Sequence, residues 1–260
     1  MKSPNSQVYF LTFADSRLAS KGIIQKQAEK SGFFDFVFAF DEMGFESWYQ
    51  KKYANHFVQG SRGFGYWQWK SYLVRRIMDR MNEGDYLVYA DAGCTINANG
   101  RQRLNDYFEI VDTHPSGILG FQQGWMESEW TKGDIFAYLG VLDNSEYLNH
   151  GQIAATAFII KKQWKSQQFV DEWYYICNNY YELITDSPSV APNASNFKEN
   201  RHDQSVFSVL SLKYGIAELP VEEIFSENGY ENMRQYPIWA TRYKPKKHSW
   251  FWKVCHKLID

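Results

Sequence analysis

The chain has 260 residues and nearly balanced charge, with 28 Lys and Arg against 30 Asp and Glu. This length is enough for one large α/β domain with a full hydrophobic core. The net charge of -2 provides no broad basic field, so we exclude non-specific nucleic-acid binding and expect no nucleic-acid partner.

The spacing of the cysteines and the length of the apolar runs indicate in which cellular compartment the protein is expected. The three cysteines are odd in number and far apart, which predicts neither a disulfide framework nor a zinc site. No apolar signal segment follows Met1 and Lys2, and the longest apolar runs are much shorter than a bilayer span. We therefore expect a cytoplasmic protein in a reducing environment.

The first segments follow a strand–helix–strand order. Residues 8–13 predict a buried strand, residues 18–30 a helix that ends at Ser31-Gly32, and residues 33–40 a second strand. This order predicts a parallel sheet with a nucleotide-sized ligand at the carboxyl ends of its strands.

A helix is predicted over residues 66–81, where apolar residues recur at three- and four-residue steps. The members of this stripe are Tyr66, Trp69, Leu73, Ile77 and Met81. The glycine-rich segment 60–65 precedes the helix, so backbone N–H groups at the helix start would face whatever that loop encloses.

The second half of the chain contains strands predicted over residues 118–122 and 155–160, and helices predicted over residues 165–181 and 203–212. Residues 186–200 are rich in Pro, Ser and Asn and have no apolar period. This stretch is interpreted as a loop, either an active-site lid or a plain connector.

Asp91 is the strongest candidate for a ligand-binding residue. It follows the predicted strand 86–89 directly, and Ala92-Gly93 would let a diphosphate or a metal approach the backbone. An Asp that only caps a turn has the same pattern. Asp15 would lie beside it at the exit of the first strand, with Phe13 available to stack on a base, unless these two form only a turn and a core contact.

Four separated blocks of the sequence resemble bacterial polysaccharide glycosyltransferases of the GT-A type. Residues 91–93 resemble the Asp-X-Asp element, and three further segments stand in the same order as in that group. These are 62–70 (RGFGYWQWK), 130–134 (WTKGD) and 201–205 (RHDQS). The resemblance spans roughly residues 8–215.

The resemblance implies a fold and an activity. The fold is a single GT-A-like (Rossmann-like) α/β domain, with a mostly parallel central sheet flanked by helices. The activity is transfer of a hexose from a nucleotide sugar, with UDP favoured, to a glycan or lipid-linked glycan in capsule or O-antigen synthesis. A nucleotidyltransferase acting on sugar phosphates and a non-catalytic carbohydrate-binding protein are the alternatives.

The resemblance also implies Mn²⁺ or Mg²⁺ at the Asp-X-Asp element, but Gly93 occupies the place of the second acid. Either Asp91 holds the ion with water and phosphate oxygens, which we favour, or Arg62 and Lys70 neutralise the diphosphate without metal. For both cations, an ordinary solvated position is the alternative.

Further residues are candidates for sugar contacts. Trp130, Lys132 and Asp134 combine an aromatic face, a cation and a carboxylate, a mixture used in sugar recognition and also found at solvated helix starts. Gln152 is placed like residues that line the acceptor pocket in related folds, and Gln204 belongs to an Asp-Gln pair that reaches the reacting sugar in GT-A enzymes.

Asp203 and Glu129 are candidate catalytic carboxylates. In an inverting enzyme, one of them would be the general base for the acceptor hydroxyl. In a retaining enzyme, Asp203 would orient the sugar and stabilise developing positive charge. A simple charge complement to the helix N-terminus is the alternative for Asp203.

The last segment differs in character from the rest. Residues 244–260 interleave Lys and His with Trp and Phe, which is typical of segments that bind the membrane interface. A short helix docked on the domain is the alternative. We therefore divide the chain into a catalytic domain, residues 1–243, and a C-terminal segment that contacts the inner face of the membrane.

Overall fold

The computed structural model describes residues 6–18 and 20–242. The strands are β1 (Val8–Phe13), β2 (Phe36–Phe40), β3 (Tyr86–Ala90), β4 (Thr95–Ile96), β5 (Ile118–Met126), β6 (Gly151–Ile153), β7 (Ala157–Lys161), β8 (Ala217–Pro220) and β9 (Ile238–Trp239). The predicted C-terminal segment 244–260 and residue 243 of the predicted catalytic domain lie outside the described residues.

Ten α-helices are found within the described ranges. They are α1 (Ser20–Ser31), α2 (Ser47–Lys52), α3 (Gly63–Tyr66), α4 (Gln68–Met78), α5 (Arg101–Thr113), α6 (Glu127–Trp130), α7 (Gly133–Tyr138), α8 (Ser145–Leu148), α9 (Trp164–Asn179) and α10 (Asp203–Tyr214). Short 3-10 helices are Glu42–Gly44, Ala98–Gly100, Tyr181–Ile184, Val221–Glu223 and Glu231–Met233.

The central sheet has seven strands in the order β2-β1-β3-β7-β5-β6, and β8 pairs with β5. Strands β1, β2, β3, β5 and β8 run in one direction, and β6 and β7 run in the other. The predicted α/β class with a mostly parallel central sheet is confirmed, although β7 places two antiparallel pairings inside it.

Strands β1 and β3 are buried on both faces, as their continuous apolar runs predict. Phe10 and Val88 pack with residues of α1 and α5 on one face. Leu11 and Tyr89 pack with residues of α4, α9 and α10 on the other face. Helices therefore flank the sheet on both sides, and its strand ends remain free to form a site.

The helix predicted over residues 66–81 is shorter than the apolar stripe. Phe64, Tyr66 and Trp67 have φ angles of 49°, 52° and 58°, in the left-handed region, so α4 begins only at Gln68. Left-handed backbone interrupts the hydrogen bonds of a right-handed helix. Spacing alone does not reveal this break, because the apolar pattern continues through it.

The remaining elements agree closely with the predictions. Helices α9 and α10 cover the two stretches predicted as helices in the second half, and residues 186–200 form neither helix nor strand. None of the helices in the described part of the chain is long and apolar enough to span a bilayer.

Candidate functional site

A cavity of about 1790 Å³ opens at the carboxyl ends of β1 and β3. The chain passes from β1 to β2 on one side and reaches β3 on the other, so the strand order reverses here. Crevices at such reversals are where open α/β sheets bind ligands. The polar and aromatic lining includes Asp15, Arg17, Ser61, Trp67, Asp91, Gln123, Trp125, Thr156, Asn228, Asn232, Gln235 and Arg242.

Asp91 is held in place at the edge of this cavity. Its backbone N–H donates to the carbonyl of Thr156 at 2.8 Å, and its Oδ1 accepts a hydrogen bond of 2.7 Å from the Tyr89 hydroxyl. The carboxylate is 32% exposed, and Oδ2 has no partner among residues 6–18 and 20–242. One oxygen of a fixed carboxylate is therefore available to a ligand.

Lys70 is buried behind Asp91. It is 3% exposed, and its Nζ lies 3.2 Å from Asp91 Oδ1, 3.3 Å from Asp203 Oδ2 and 3.0 Å from the Ala155 carbonyl. Burial opposes the charged form, but the two carboxylates outweigh it and raise the pKa of Lys70. Lys70 does not line the cavity, so its charge orients Asp91 instead of reaching an anion directly.

Asp203 is the first residue of α10 and is also buried. Burial raises the pKa of Asp203 to about 7, against the opposing effect of Lys70. Its Oδ2 lies at ion-pair distance from Lys70 but accepts no well-aligned hydrogen bond from the described residues. Asp203 does not line the cavity, and its close contact with the site is the ion pair with Lys70.

Asp15 lines the cavity and is neutralised by a residue that the sequence analysis missed. Arg17 donates from Nε to Asp15 Oδ1 at 2.8 Å and from Nη2 to Oδ2 at 3.1 Å. These hydrogen bonds lower the pKa of Asp15. The only sequence signal for this pair was the spacing of two residues after a strand end.

Phe13 lines the cavity but belongs largely to the core. Its ring is 4.0 Å from that of Trp69 and 5.4 Å from that of Phe45, measured between centroids, and it is 4% exposed. The contacts that were expected with a base are made with protein rings instead. Trp67, in the left-handed segment before α4, offers an indole to the cavity.

Two of the predicted charged side chains are paired with other residues and do not line the cavity. Arg62 pairs with Asp186 at 3.3 Å and with Glu199 at 3.7 Å, and it does not line the cavity. Glu129 pairs with Lys198 at 2.6 Å, also outside the cavity. Both side chains are therefore paired within the protein in this structure, and Arg62 stands between Ser61 and Gly63, which do line the cavity.

Residues 130–134 hold the loop 186–200 in place through hydrogen bonds. Lys132 is buried, and its Nζ donates to the carbonyls of Glu182 and Ser187, both at 2.9 Å. Asp134 accepts the backbone N–H groups of residues 190 and 191 at 2.9 and 2.7 Å. Lys132 and Asp134 thus contact the loop where sugar contacts were expected, and no residue of 186–200 lines the cavity.

Gln152, which is buried, and Gln204, which is half-buried, form an amide pair, and neither lines the cavity. Gln204 Nε2 donates to Gln152 Oε1 at 2.6 Å, and Gln204 Oε1 accepts the N–H of Ala155 at 3.2 Å. Ala155 also accepts from Lys70 and precedes Thr156, whose carbonyl binds the N–H of Asp91. The pair therefore supports the turn that holds Asp91.

Glu127 lies at the far end of the same hydrogen-bond network, beyond Gln152. It is buried and accepts hydrogen bonds from the Ser208 and Thr131 hydroxyls and from Gln152 Nε2. Burial raises the pKa of Glu127 to about 7, although these hydrogen bonds oppose the shift.

Gly93 lines the cavity, and its carbonyl accepts a hydrogen bond of 2.9 Å from the Thr241 hydroxyl. This contact brings the end of the described chain back to the turn after Asp91. Arg242, the next residue, also lines the cavity and forms no ion pair within the described residues. The cavity thus gains a cation that the sequence analysis did not assign.

The residues at Asp91 do not fit a divalent ion held by the protein. Mg²⁺ and Mn²⁺ prefer several oxygen ligands, but Asp91 offers one free carboxylate oxygen and Lys70 lies against the other. Gly93 supplies no side-chain ligand. No group of three or more His, Cys, Asp or Glu residues in the described parts is arranged around a metal position.

No protein-family model and no curated protein sequence matches the chain. Among solved structures, the chain is similar to a glycosyltransferase involved in the glycosylation of the major capsid of PBCV-1, with 9% identity, 89% of this chain and 92% of that chain covered, and a TM-score of 0.49. It is similar to mouse xyloside xylosyltransferase 1 with 9% identity, 90% and 97% covered, and a TM-score of 0.46. It is also similar to an active-site mutant of LgtC, with 11% identity, 96% of this chain and 94% of that chain covered, and a TM-score of 0.47. At these levels, the likenesses carry no argument about the activity of this chain.

Proposed function

We propose that the chain is a glycosyltransferase that transfers a hexose from a nucleotide sugar, with UDP favoured, to a glycan or lipid-linked glycan in surface polysaccharide synthesis. One observation carries the proposal: a fixed carboxylate, Asp91, presents a free oxygen to a large cavity at the reversal point of a mostly parallel sheet. We further propose that residues 244–260 bring the enzyme to the cytoplasmic face of the membrane.

Apart from the paired Asp15 and Arg17, the charged residues on the cavity wall in the described chain are Asp91, Glu222, Glu227 and Arg242, and Arg242 is the one that can bind a diphosphate. The guanidinium of Arg242 lies on the cavity wall and has no carboxylate partner in the described residues. A guanidinium can donate two parallel hydrogen bonds to two oxygens of one phosphate. Asp91 is held by Tyr89 and Lys70, so it can accept hydrogen bonds from sugar hydroxyls without reorienting. Arg242 therefore takes the role that the sequence analysis gave to Arg62 and Lys70.

In the proposed reaction, the bond between sugar C1 and the diphosphate oxygen breaks, and the acceptor hydroxyl oxygen bonds to C1. The hydroxyl proton passes to the released diphosphate or to solvent. Asp203 and Glu129 do not face the cavity, so we assign neither as a general base. Asp203 is a positioning residue that acts on Asp91 through Lys70.

The donor is tested first by ligand-induced stabilisation. UDP or GDP, with and without Mn²⁺, should raise the thermal midpoint of the transferase, because binding to the folded state alone stabilises it. A shift with oligosaccharide but with no nucleotide would favour a carbohydrate-binding protein. Pyrophosphate release from a nucleoside triphosphate and a sugar phosphate would favour a nucleotidyltransferase. A panel of sugar nucleotides, with NMR of the product anomer, then defines the donor and the stereochemistry.

The site is tested by Asp91→Asn. This variant should remain folded, with a thermal midpoint lowered by the loss of one carboxylate beside buried Lys70, and should lose about 100-fold or more in turnover, the usual effect of removing one preorganised electrostatic contact. Asp143→Asn is the matched control, because Asp143 lies outside the cavity. Unchanged turnover in Asp91→Asn would contradict the site assignment.

A further inference from the structure

The exposed indole of Trp125 is unusual within the cavity. Trp125 lies near the end of β5, lines the cavity and is 38% exposed. The side chains before it on this strand become progressively more open, and the preceding residue is Gly124, which has no side chain to cover the ring. A large aromatic face at a cavity wall is the kind of surface that packs against flat or ring-shaped ligands.

The indole of Trp125 is supported from behind. The Trp130 ring lies 5.2 Å from it between centroids, tilted by 36°. The guanidinium carbon of Arg201 lies 4.1 Å from the Trp130 centroid and 5.2 Å from the Trp125 centroid. Arg201 is itself held by Glu199 at 3.0 Å. These contacts fix the ring, so little side-chain freedom is lost when a ligand stacks on it.

The sheet topology separates Trp125 from the nucleotide end of the cavity. Strand β7 lies between β3 and β5, which places β5 about 10 Å to the side of β3. Through β7, Ala90 is level with Phe121 on β5, so Trp125 lies further along the sheet than Asp91. The advance is less than the extended length of three residues, about 10 Å, because the pairing of β5 with β6 shifts register between Gln122 and Met126. The reversal point beside Asp91 takes the nucleotide sugar, which leaves Trp125 for the second substrate.

We infer that Trp125 is the stacking platform for a pyranose ring of the acceptor glycan, and that Trp130 and Arg201 are positioning residues for it. This inference rests on the proposed function. The C–H face of a pyranose packs on indole, while its hydroxyls need donors and acceptors at the ring edge. Gln123 on the same strand, and Asn228 and Asn232 elsewhere on the cavity wall, supply such amides.

The experiment uses the full chain with Trp125→Ala and Trp125→Phe. The donor is the sugar nucleotide that the wild type turns over, and the acceptor probes are octyl glucoside, octyl galactoside and octyl mannoside. Trp125→Ala should raise the acceptor KM about 10-fold, and Trp125→Phe should raise it less, since stacking is reduced but kept. The UDP-induced thermal shift and donor hydrolysis without acceptor should not change. Trp164→Ala, at a position 74% exposed outside the cavity, is the matched control.

Three other outcomes would contradict either the acceptor role of Trp125 or the proposed function. An unchanged acceptor KM in Trp125→Ala, with donor turnover intact, refutes the acceptor platform and leaves the proposed function standing. Loss of the UDP shift in Trp125→Ala would place the nucleotide base on this indole and refute the inference as well. A wild type that neither binds UDP or GDP nor turns over any sugar nucleotide refutes the proposed function, and the inference with it.

Discussion

Replacing Lys70 by Met tests whether the buried cation holds the site together. Lys70 is 3% exposed and has carboxylate oxygens at 3.2 and 3.3 Å, from Asp91 and Asp203. Methionine has a similar length without the charge, so the variant leaves Asp203 buried with no cation. Breaking a buried ion pair by removing one partner destabilises a protein by about 3–5 kcal/mol.

We expect the lower end of this range, about 3 kcal/mol, because Asp203 can take up a proton. Its pKa is already raised to about 7 by burial, so neutralising it near neutral pH requires little free energy. The carbonyl of Ala155 also loses the hydrogen bond from Lys70, which adds about 1 kcal/mol. Turnover should fall together with stability, since Asp91 loses one of its two supports.

The assay is urea unfolding of a double-mutant cycle at pH 7.5. Lys70→Met, Asp203→Asn and the double variant should be non-additive by about 1–3 kcal/mol, with the double variant less destabilised than the sum. Lys213→Met is the matched control, because Lys213 pairs with Glu172 at the surface and such pairs contribute below about 1 kcal/mol. Additive free energies, or a Lys70 variant as mild as the Lys213 variant, would refute the reasoning.

Two further predictions concern buried charges outside the cavity. The folded-state pKa of Glu127 is raised to about 7, so its contribution to stability is full below its ordinary pKa and is lost as pH rises to 7. Glu127→Gln should therefore flatten the fall in unfolding free energy between pH 5 and 7.5 in urea titrations, and parallel curves for both proteins would contradict this. Lys132→Met removes the buried donor to the carbonyls of Glu182 and Ser187 and should destabilise by about 1–3 kcal/mol, with faster proteolysis within residues 186–200. An unchanged cleavage rate would show that Lys132 does not fasten the loop.

The local pattern of the sequence was sufficient for the strands that carry the site. Residues 8–13 and 86–90 are continuous apolar runs, and both are buried strands that pair in parallel. The residues that follow them, Asp15 and Asp91, could therefore be placed at one edge of the sheet from the sequence alone. This prediction holds because a short apolar run of strand length, typical of a strand buried on both faces, is a local property of the sequence.

Tertiary structure decided which partner each charged group meets. Lys70 has the helical position that was predicted, but Asp203, 133 residues later, makes it a buried support instead of a phosphate ligand. The segment 130–134 has a composition typical of sugar sites, yet its hydrogen bonds go to residues about 50 positions later. Composition shows which groups are able to bind, and only packing shows which of them are already paired.

The aromatic residues at the cavity also show the difference between what the sequence predicts and what packing decides. Trp130 stands in a recognisable motif and was therefore predicted to contact sugar, but its neighbour Trp125 lines the cavity and Trp130 packs against Trp125. Sequence by itself determined the two strands that carry the site, the sheet class and the position of Asp91, because apolar runs and the order of the elements are local features. The roles of Lys70, Asp203 and Trp125 depend on contacts between distant segments, and those contacts exist only once the sheet and its helices have packed.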